Sequence, residues 1–590
     1  MTLVLPEVRN GVELFRWRVE RSGSAPALRT FPEGRVVSWR EWARASEAFA
    51  DRLRREGVEP GHRVAIWAGS RPLWPIADLG ALMAGAVPVG LYPSSAPAQV
   101  RALLADAGVV LAVGDRPERV GLLRSLEEEV PQLVRTLDET DVDPEGAGAP
   151  GGGPGTSGAP EASPRFGAPR DTASDRWPGV EAEAGDDALL IYTSGSTGEP
   201  RGARISHRYL LTSAASVRQV LELQEGDVTL SFLPFCHAAE RVFGLYTRIL
   251  AGVEAVLVED HHRVWDAARA VNPTVFGGLP RFFEKAVEGL RAHEAEGGDP
   301  ADRVSHYFGT RLRVATSGGA TLAPDVSAAL DRLGVRVLGA YGLTEHLCAT
   351  MNRPDRCDLA SAGVPMPGTD LRIAEDGEIL LRRGPLTFSG YLNRPADTRR
   401  AFTPDGEWLL TGDLGRVDDR GFLFVTGRKK ELLALSTGKK VAPVPIETRL
   451  TRHPWITQAM LVGESRRFVS ALLVPNRSVV ESWARAEGIP GAWEALLVDP
   501  KIRRQVDRIV VEVNRELSRT EQVRRYHLLV DEWTTEAGEL TPTLKVRRAV
   551  VAERHDEAIE AIYDAESPTA DESRPRRPTH EPAQPTEETP

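Results

Sequence analysis

Cysteine is scarce in this 590-residue chain, with only Cys236, Cys348 and Cys357. Three is an odd count and no pair has metal-ligand spacing. A disulfide framework is therefore not expected, and a reducing compartment fits. Long hydrophobic runs are also missing, since no stretch reaches the roughly 18 apolar residues of a membrane span. Residues 1–15 lack the basic start and apolar run of a signal peptide. Nor is there an excess of positive charge. The net charge is −11, and nucleic acid requires a basic surface that such a chain does not present. Anionic nucleotides, held by local groups, are not excluded. These absences describe a cytoplasmic protein with no nucleic-acid partner and no transmembrane segment. They leave peripheral membrane association and oligomeric state open.

What is present is enough apolar sequence, 41% of residues, to bury cores, and a length that calls for two to four domains. Arg63–Ala68, Val87–Tyr92 and Val109–Val113 read as strands, separated by helical patterns at Pro72–Gly85 and Ala98–Ala107. Strand and helix in alternation predict a parallel sheet covered by helices. The rhythm returns at Ala188–Thr193, Val228–Leu233, Ala255–Glu259, Thr274–Gly277, Leu312–Thr316 and Val335–Leu338. Between the two series, about 143–185 is rich in Gly, Pro, Ala and Ser, and reads as a flexible insertion with too little apolar surface to order itself. From about 363 to 427, Asp376-Gly377, Asp405-Gly406 and Gly421 punctuate short apolar runs, the signature of antiparallel hairpins. A small α+β domain is expected over 431–565, and a Pro/Thr/Glu-rich disordered tail over 566–590.

One local segment carries chemistry: Tyr192-Thr193-Ser194-Gly195-Ser196-Thr197-Gly198-Glu199-Pro200-Arg201-Gly202 leaves an apolar strand and enters a loop of small residues. Glycines admit backbone N–H groups to a phosphate chain, and hydroxyls add donors. It is not a Walker loop, because no Gly-Lys-Ser/Thr closes it. Alone it is equally readable as a flexible turn. Four more segments follow in order: Tyr341-Gly342-Leu343-Thr344-Glu345 after a strand ending near Ala340, Thr411-Gly412-Asp413, Gly427-Arg428-Lys429-Lys430-Glu431, and Leu540-Thr541-Pro542-Thr543-Leu544-Lys545.

In this order and spacing the five segments resemble the adenylate-forming superfamily of acyl-CoA synthetases, luciferases and peptide-synthetase adenylation domains, over about residues 15 to 555. Phe232-Leu233-Pro234-Phe235-Cys236-His237-Ala238-Ala239-Glu240-Arg241 is similar to the long-chain fatty acyl-CoA synthetase branch. So are Pro280-Arg281 with Glu284-Lys285, and Val441-Ala442-Pro443. The resemblance implies an α/β fold: a large N-terminal region (1–427) of two α/β sheet subdomains and a small β-rich subdomain. A hinge at 428–430, pivoting on Lys430, would lead to a mobile C-terminal α+β domain, with the active site in the cleft. It implies ATP, Mg²⁺ and coenzyme A, with a fatty acid as the other substrate. The carboxylate would attack the α-phosphorus of ATP to give acyl-AMP, and the CoA thiol would then take the acyl group.

The same resemblance assigns roles. Thr193, Ser194, Ser196 and Thr197 would cradle the β- and γ-phosphates with Gly195, Gly198 and Arg201. Thr344 would add a hydroxyl, and Glu345 would hold Mg²⁺, a hard carboxylate for a hard ion. Lys545 would bridge the acid and the α-phosphate as a flexible point charge. Ser317-Gly318-Gly319-Ala320 and Tyr341-Gly342 would form the adenine pocket, while Asp413 and Arg428 would hold the ribose. His237 would stand near the acyl carbonyl, although a lone His among apolar residues is ordinarily structural. Cys236 reads as core packing, and His261-His262 as a surface turn. Two positions depart from the family: Arg201 stands where Lys is usual, keeping the charge but with planar geometry, and Lys440 stands where the long-chain branch commonly has Asn. Three alternatives stay open: a ligase that loads a carrier protein, a synthetase for other carboxylic acids, and a nucleotide binder without catalysis.

Overall fold

The computed structural model describes residues 3–143, 182–194, 200–535, 537–541 and 545–564. Most of the 143–185 segment, the loop residues Gly195, Ser196, Thr197, Gly198 and Glu199, and the tail beyond 564 lie outside the described residues. The chain forms two compact units, Met1–Val425 and Thr426–Pro590.

Local chemistry explains the first elements. Helix Trp39–Arg55 starts with a capping box: the Ser38 hydroxyl accepts the Glu41 N–H, and the Glu41 carboxylate accepts the Ser38 N–H. Its buried residues, Trp39, Trp42, Ala43, Ser46, Phe49, Ala50 and Leu53, recur at helical spacing and make one apolar face. That face meets helix Leu73–Met83, every residue of which is buried. The two helices touch at Gly80, where an added Cβ would lie 2.7 Å from the Phe49 ring and 2.8 Å from the Ser46 carbonyl.

Helix Leu73–Met83 belongs to a seven-stranded sheet in the order Gly390–Tyr391, Pro200–Ser206, Asp187–Ser194, Val87–Gly90, Arg63–Trp67, Val109–Gly114, Arg135–Leu137. The strands from Asp187–Ser194 onward in that order run parallel, and the first two are added antiparallel. A nine-stranded sheet forms the second layer system, with Val314–Ser317, Val275–Gly278, Val228–Ser231 and Glu254–Val258 as its parallel centre. Pro26–Phe31, far earlier in sequence, pairs parallel with Glu254–Val258 and carries the edge strand Val36–Ser38 on its other side. A small antiparallel sheet follows, built on Leu371–Ile373, Glu378–Arg382 and Trp408–Val417, with Gly377 at positive φ in the first turn. This is the α/β architecture with a β-rich subdomain that the motifs imply.

The second unit has its own core around the strands Ile456–Val462, Val469–Pro475 and Val523–Leu528, covered by helices that include Pro443–Thr451 and Pro500–Arg515. It is α+β, as expected. Among the described residues no helix is long and apolar enough to cross a membrane.

Candidate active site

Strands Asp187–Ser194 and Pro200–Ser206 pair antiparallel up to Ser194 opposite Pro200, and so bring the two flanks of the glycine-rich segment side by side. Thr193 stands opposite Arg201 beside that segment. Near this end the strand is tied by the Tyr192 hydroxyl, which donates to Asp106 Oδ2 at 2.7 Å.

The Tyr341 segment differs from expectation in one respect: the strand does not end near Ala340. It runs Val337–Leu343 and reverses directly into His346–Met351, with Leu343 opposite His346. Thr344 and Glu345 are therefore the two turn residues of a tight hairpin. The register shifts between Tyr341 and Leu343. There Gly342 packs on the partner strand so closely that an added Cβ would stand 2.3 Å from the Cys348 nitrogen, and Cys348 itself has φ +47. Such an irregularity re-aims the end of a ribbon. The buried Tyr209, on helix His207–Leu221, fastens the turn: its hydroxyl donates to the Thr344 carbonyl at 3.0 Å and accepts the Leu347 N–H at 2.7 Å.

Two carboxylates complete the group. The Tyr341 hydroxyl donates to Asp413 Oδ2 at 2.8 Å, joining positions 72 residues apart. Asp413 is buried on Trp408–Val417, beside Gly412, whose N–H bonds Glu378 at 2.8 Å. Glu345 Oε1 accepts the Tyr391 hydroxyl, and the Glu345 carbonyl accepts the Phe388 N–H at 2.9 Å. Arg201 lies 3.6 Å from Asp397 and places its guanidinium 5.6 Å from the centre of the Tyr391 ring. Burial, and then the Glu345 charge, push the Tyr391 phenol well above its ordinary range, so it remains a donor.

Ser317-Gly318-Gly319 follows strand Val314–Ser317, with Gly319 at φ +79. The Ser317 hydroxyl is buried and has no hydrogen-bond partner among the described residues. An orphaned buried hydroxyl beside a glycine pair suits a ligand that brings its own donors and acceptors. Ala320 continues this segment exposed.

His237 is half-buried, and its Nδ1 accepts the Ala239 N–H at 3.1 Å, which leaves the neutral ring's proton on Nε2. The next turn, Ala239–Tyr246, is π-helical. It is anchored by the fully buried ion pair Arg241–Asp78, by the Tyr246 hydroxyl on Asp78 Oδ2 at 2.7 Å, and by the pair Arg248–Glu240. π-Helical turns concentrate at functional sites. Cys236 is buried, and burial pushes its thiol far up, while that of Cys348 is pushed up to about 12. Both are packing groups, not nucleophiles.

The remaining positions lie in the second unit. Arg428 ends a strand, and Lys430 sits in the single 3₁₀ turn Lys429–Glu431. The Lys545 carbonyl accepts the Thr541 N–H at 2.8 Å, and the Lys545 N–H donates to the Thr541 hydroxyl at 3.0 Å. Sequence reasoning passed over Tyr209, Tyr391, Asp397 and the Asp78–Arg241 pair. Their partners stand 46 to 196 residues away, and no local pattern marks them.

Residues 15–392 match the family model described as AMP-binding enzyme, and residues 430–567 match that of the AMP-binding enzyme C-terminal domain. Long-chain-fatty-acid–CoA ligase FadD15 of Mycobacterium tuberculosis is 32% identical over 86% of this chain and 89% of its own length. Long-chain-fatty-acid–CoA ligase 6 of Homo sapiens is 26% identical over 95% of this chain and 88% of its own. Among solved structures, the anthranilate CoA ligase AuaEII in complex with anthranoyl-AMP superposes with a TM-score of 0.73 at 22% identity, covering 94% of this chain and 99% of that one. A Mycobacterium tuberculosis fatty acyl CoA synthetase gives 0.64 at 19%, covering 93% and 99%. At these identities the structures speak for the fold.

Proposed function

This chain belongs to the family of AMP-binding enzymes, and from that membership we propose that it is a fatty-acid–CoA ligase that activates the acid with ATP as acyl-AMP and passes the acyl group to coenzyme A. The observation that carries the reading is the convergence of separated motifs. The Tyr341 hydroxyl meets Asp413, while Glu345 is presented on a tight turn and shares Tyr391 with Arg201 from the phosphate hairpin.

In the first step a carboxylate anion attacks a polyanion, so the protein must neutralise charge and fix geometry. Thr193, Ser194, Gly195, Ser196, Thr197, Gly198 and Arg201 take the phosphates. Thr344 adds its hydroxyl, and Tyr341, Ser317, Gly318, Gly319, Ala320 and Gly342 take the base. Asp413 and Arg428 take the ribose hydroxyls. The Glu345 carboxylate, a hard oxygen donor, suits Mg²⁺, which would supply further positive charge at the phosphates. His237 lies near the acyl carbonyl. Lys545 supplies a mobile ammonium to the acid and the α-phosphate. A flexible four-carbon stem suits a charge needed in one step and withdrawn in the next.

Lys545→Ala should cut fatty-acid-dependent ATP–pyrophosphate exchange by roughly 10²–10³-fold, the usual cost of a transition-state charge. Conversion of supplied acyl-AMP to acyl-CoA should change far less. Near-normal exchange in this variant would remove the assignment. Thioester formation with CoA, rather than with an acyl carrier protein, separates the two ligase readings.

A further inference from the structure

We propose that Tyr391 is a positioning residue for the adenylation step, holding the Glu345 carboxylate in place and tying it to the arm of the phosphate hairpin that carries Arg201. The proposal rests on the reading of Glu345 as the metal-holding carboxylate. A glutamate on a two-residue turn has three free torsions and needs a partner to present one rotamer. Tyr391 supplies it, with its hydroxyl 2.5 Å from Glu345 Oε1, a charge-assisted bond. Phe388, three residues earlier, donates its N–H to the Glu345 carbonyl at 2.9 Å. One short segment thus grips both the backbone and the side chain of Glu345.

The segment is itself built for this. Gly390 has φ +126, and a Cβ there would stand 2.7 Å from Thr398 Cγ2. Only glycine admits Thr398 so close, and the Thr398 hydroxyl accepts the Tyr391 N–H at 2.9 Å. Gly390 and Tyr391 pair antiparallel with Arg204 and Ala203, the outgoing arm of the phosphate hairpin. The ring is held by the Phe388 edge at 4.9 Å, and by Arg201, which lies over its face and also hydrogen-bonds the tyrosine. Arg201 in turn lies beside Asp397. The hydroxyl of Tyr391 therefore stands between a cation on the phosphate hairpin and an anion on the Thr344-Glu345 turn.

The test uses the full chain with Tyr391→Phe, which keeps the ring and removes the hydroxyl. The free Mg²⁺ giving half-maximal ATP–pyrophosphate exchange should rise about tenfold, the scale of one charge-assisted hydrogen bond, with the rate at saturating Mg²⁺ changed much less. Calorimetric binding of ATP, without fatty acid, should weaken about as much in the presence of Mg²⁺ and stay unchanged in EDTA. A merely structural tyrosine would lower the denaturation midpoint and leave the metal dependence where it was. In a Glu345→Gln background, Tyr391→Phe should add little. Unaltered metal dependence in Tyr391→Phe, or effects of the two substitutions that multiply, would overturn the proposal while leaving the role of Glu345 standing. If Glu345→Gln itself left the metal dependence unaltered, the reading of Glu345 would fall, and this proposal with it.

Discussion

The ion pair between Asp78 and Arg241 allows a stability prediction to be worked from its surroundings. Both side chains are fully buried. The Arg241 guanidinium also donates to the Pro88 carbonyl at 3.2 Å and lies 4.9 Å from the centre of the Trp74 ring. The second Asp78 oxygen takes the Tyr246 hydroxyl. Asp78→Ala would leave the guanidinium with carbonyls and an indole face but no counter-charge, and would strand the Tyr246 hydroxyl. Breaking one side of such a pair costs about 3–5 kcal/mol, to which the lost phenol bond adds about 1. In urea, with the steep slope of a large unit, the first unit's midpoint should fall by roughly 1 M. Replacing both charges, as in Asp78→Leu with Arg241→Met, removes the uncompensated ion and should recover most of that loss. Urea unfolding of the singles and the double, followed by tryptophan fluorescence, measures the coupling. A loss under about 1 kcal/mol for Asp78→Ala, or a double variant as unstable as the sum of the singles, would refute the reasoning. Exchange activity should fall with Asp78→Ala, because the π-helical turn that this pair anchors starts two residues after His237.

Two further outcomes are expected. On the reading of Lys430 as a pivot, Lys430→Pro should spare ATP–pyrophosphate exchange and block conversion of purified acyl-AMP to acyl-CoA, since proline locks the φ that a pivot must change; full thioester formation would place the pivot elsewhere. Burial lowers the pKa of His207 and of His346 from 6.5 to about 4, with Asp186 and Glu13 opposing this slightly at His207. The unfolded state therefore binds more protons between pH 6.5 and 4. Stability is complete above about pH 6.5 and should fall by about 2 kcal/mol for each histidine between pH 7 and 5, and a His207→Gln His346→Gln variant should show a flatter denaturant midpoint across that range.

Legibility in the sequence followed the range of the interactions. The strands Arg63–Trp67 and Val109–Gly114 and the helix Pro97–Ala107 stood where apolar periodicity put them, because each is dictated by its own residues and near neighbours. The hairpin turns at Asp376-Gly377 and Asp405-Gly406 were readable for the same reason: both Gly377 and Gly406 take positive φ. The strand through Tyr341 was read too short. Leu343 to His346 is a two-residue reversal without an Asn-Gly or Asp-Gly signal, held by Tyr209 from a helix more than a hundred residues earlier.

The sequence by itself determined the family, the alternation of strand and helix, the α+β character of the second unit, and the order of the motifs. All of these are written in local residue types and their spacing. Only the tertiary structure decided that Pro26–Phe31 joins the second sheet beside Glu254–Val258, that Asp413 faces Tyr341, and that Tyr391 stands between Arg201 and Glu345. The physical reason is that a hydrogen bond or ion pair depends on the separation of two groups in space. Chain distance carries almost no information about that separation once sheets have crossed over and folded back. The buried pair Asp78–Arg241 is the extreme case. Each residue alone reads as an ordinary surface charge, and only the packing of helix Leu73–Met83 against the π-helical turn makes them obligatory partners.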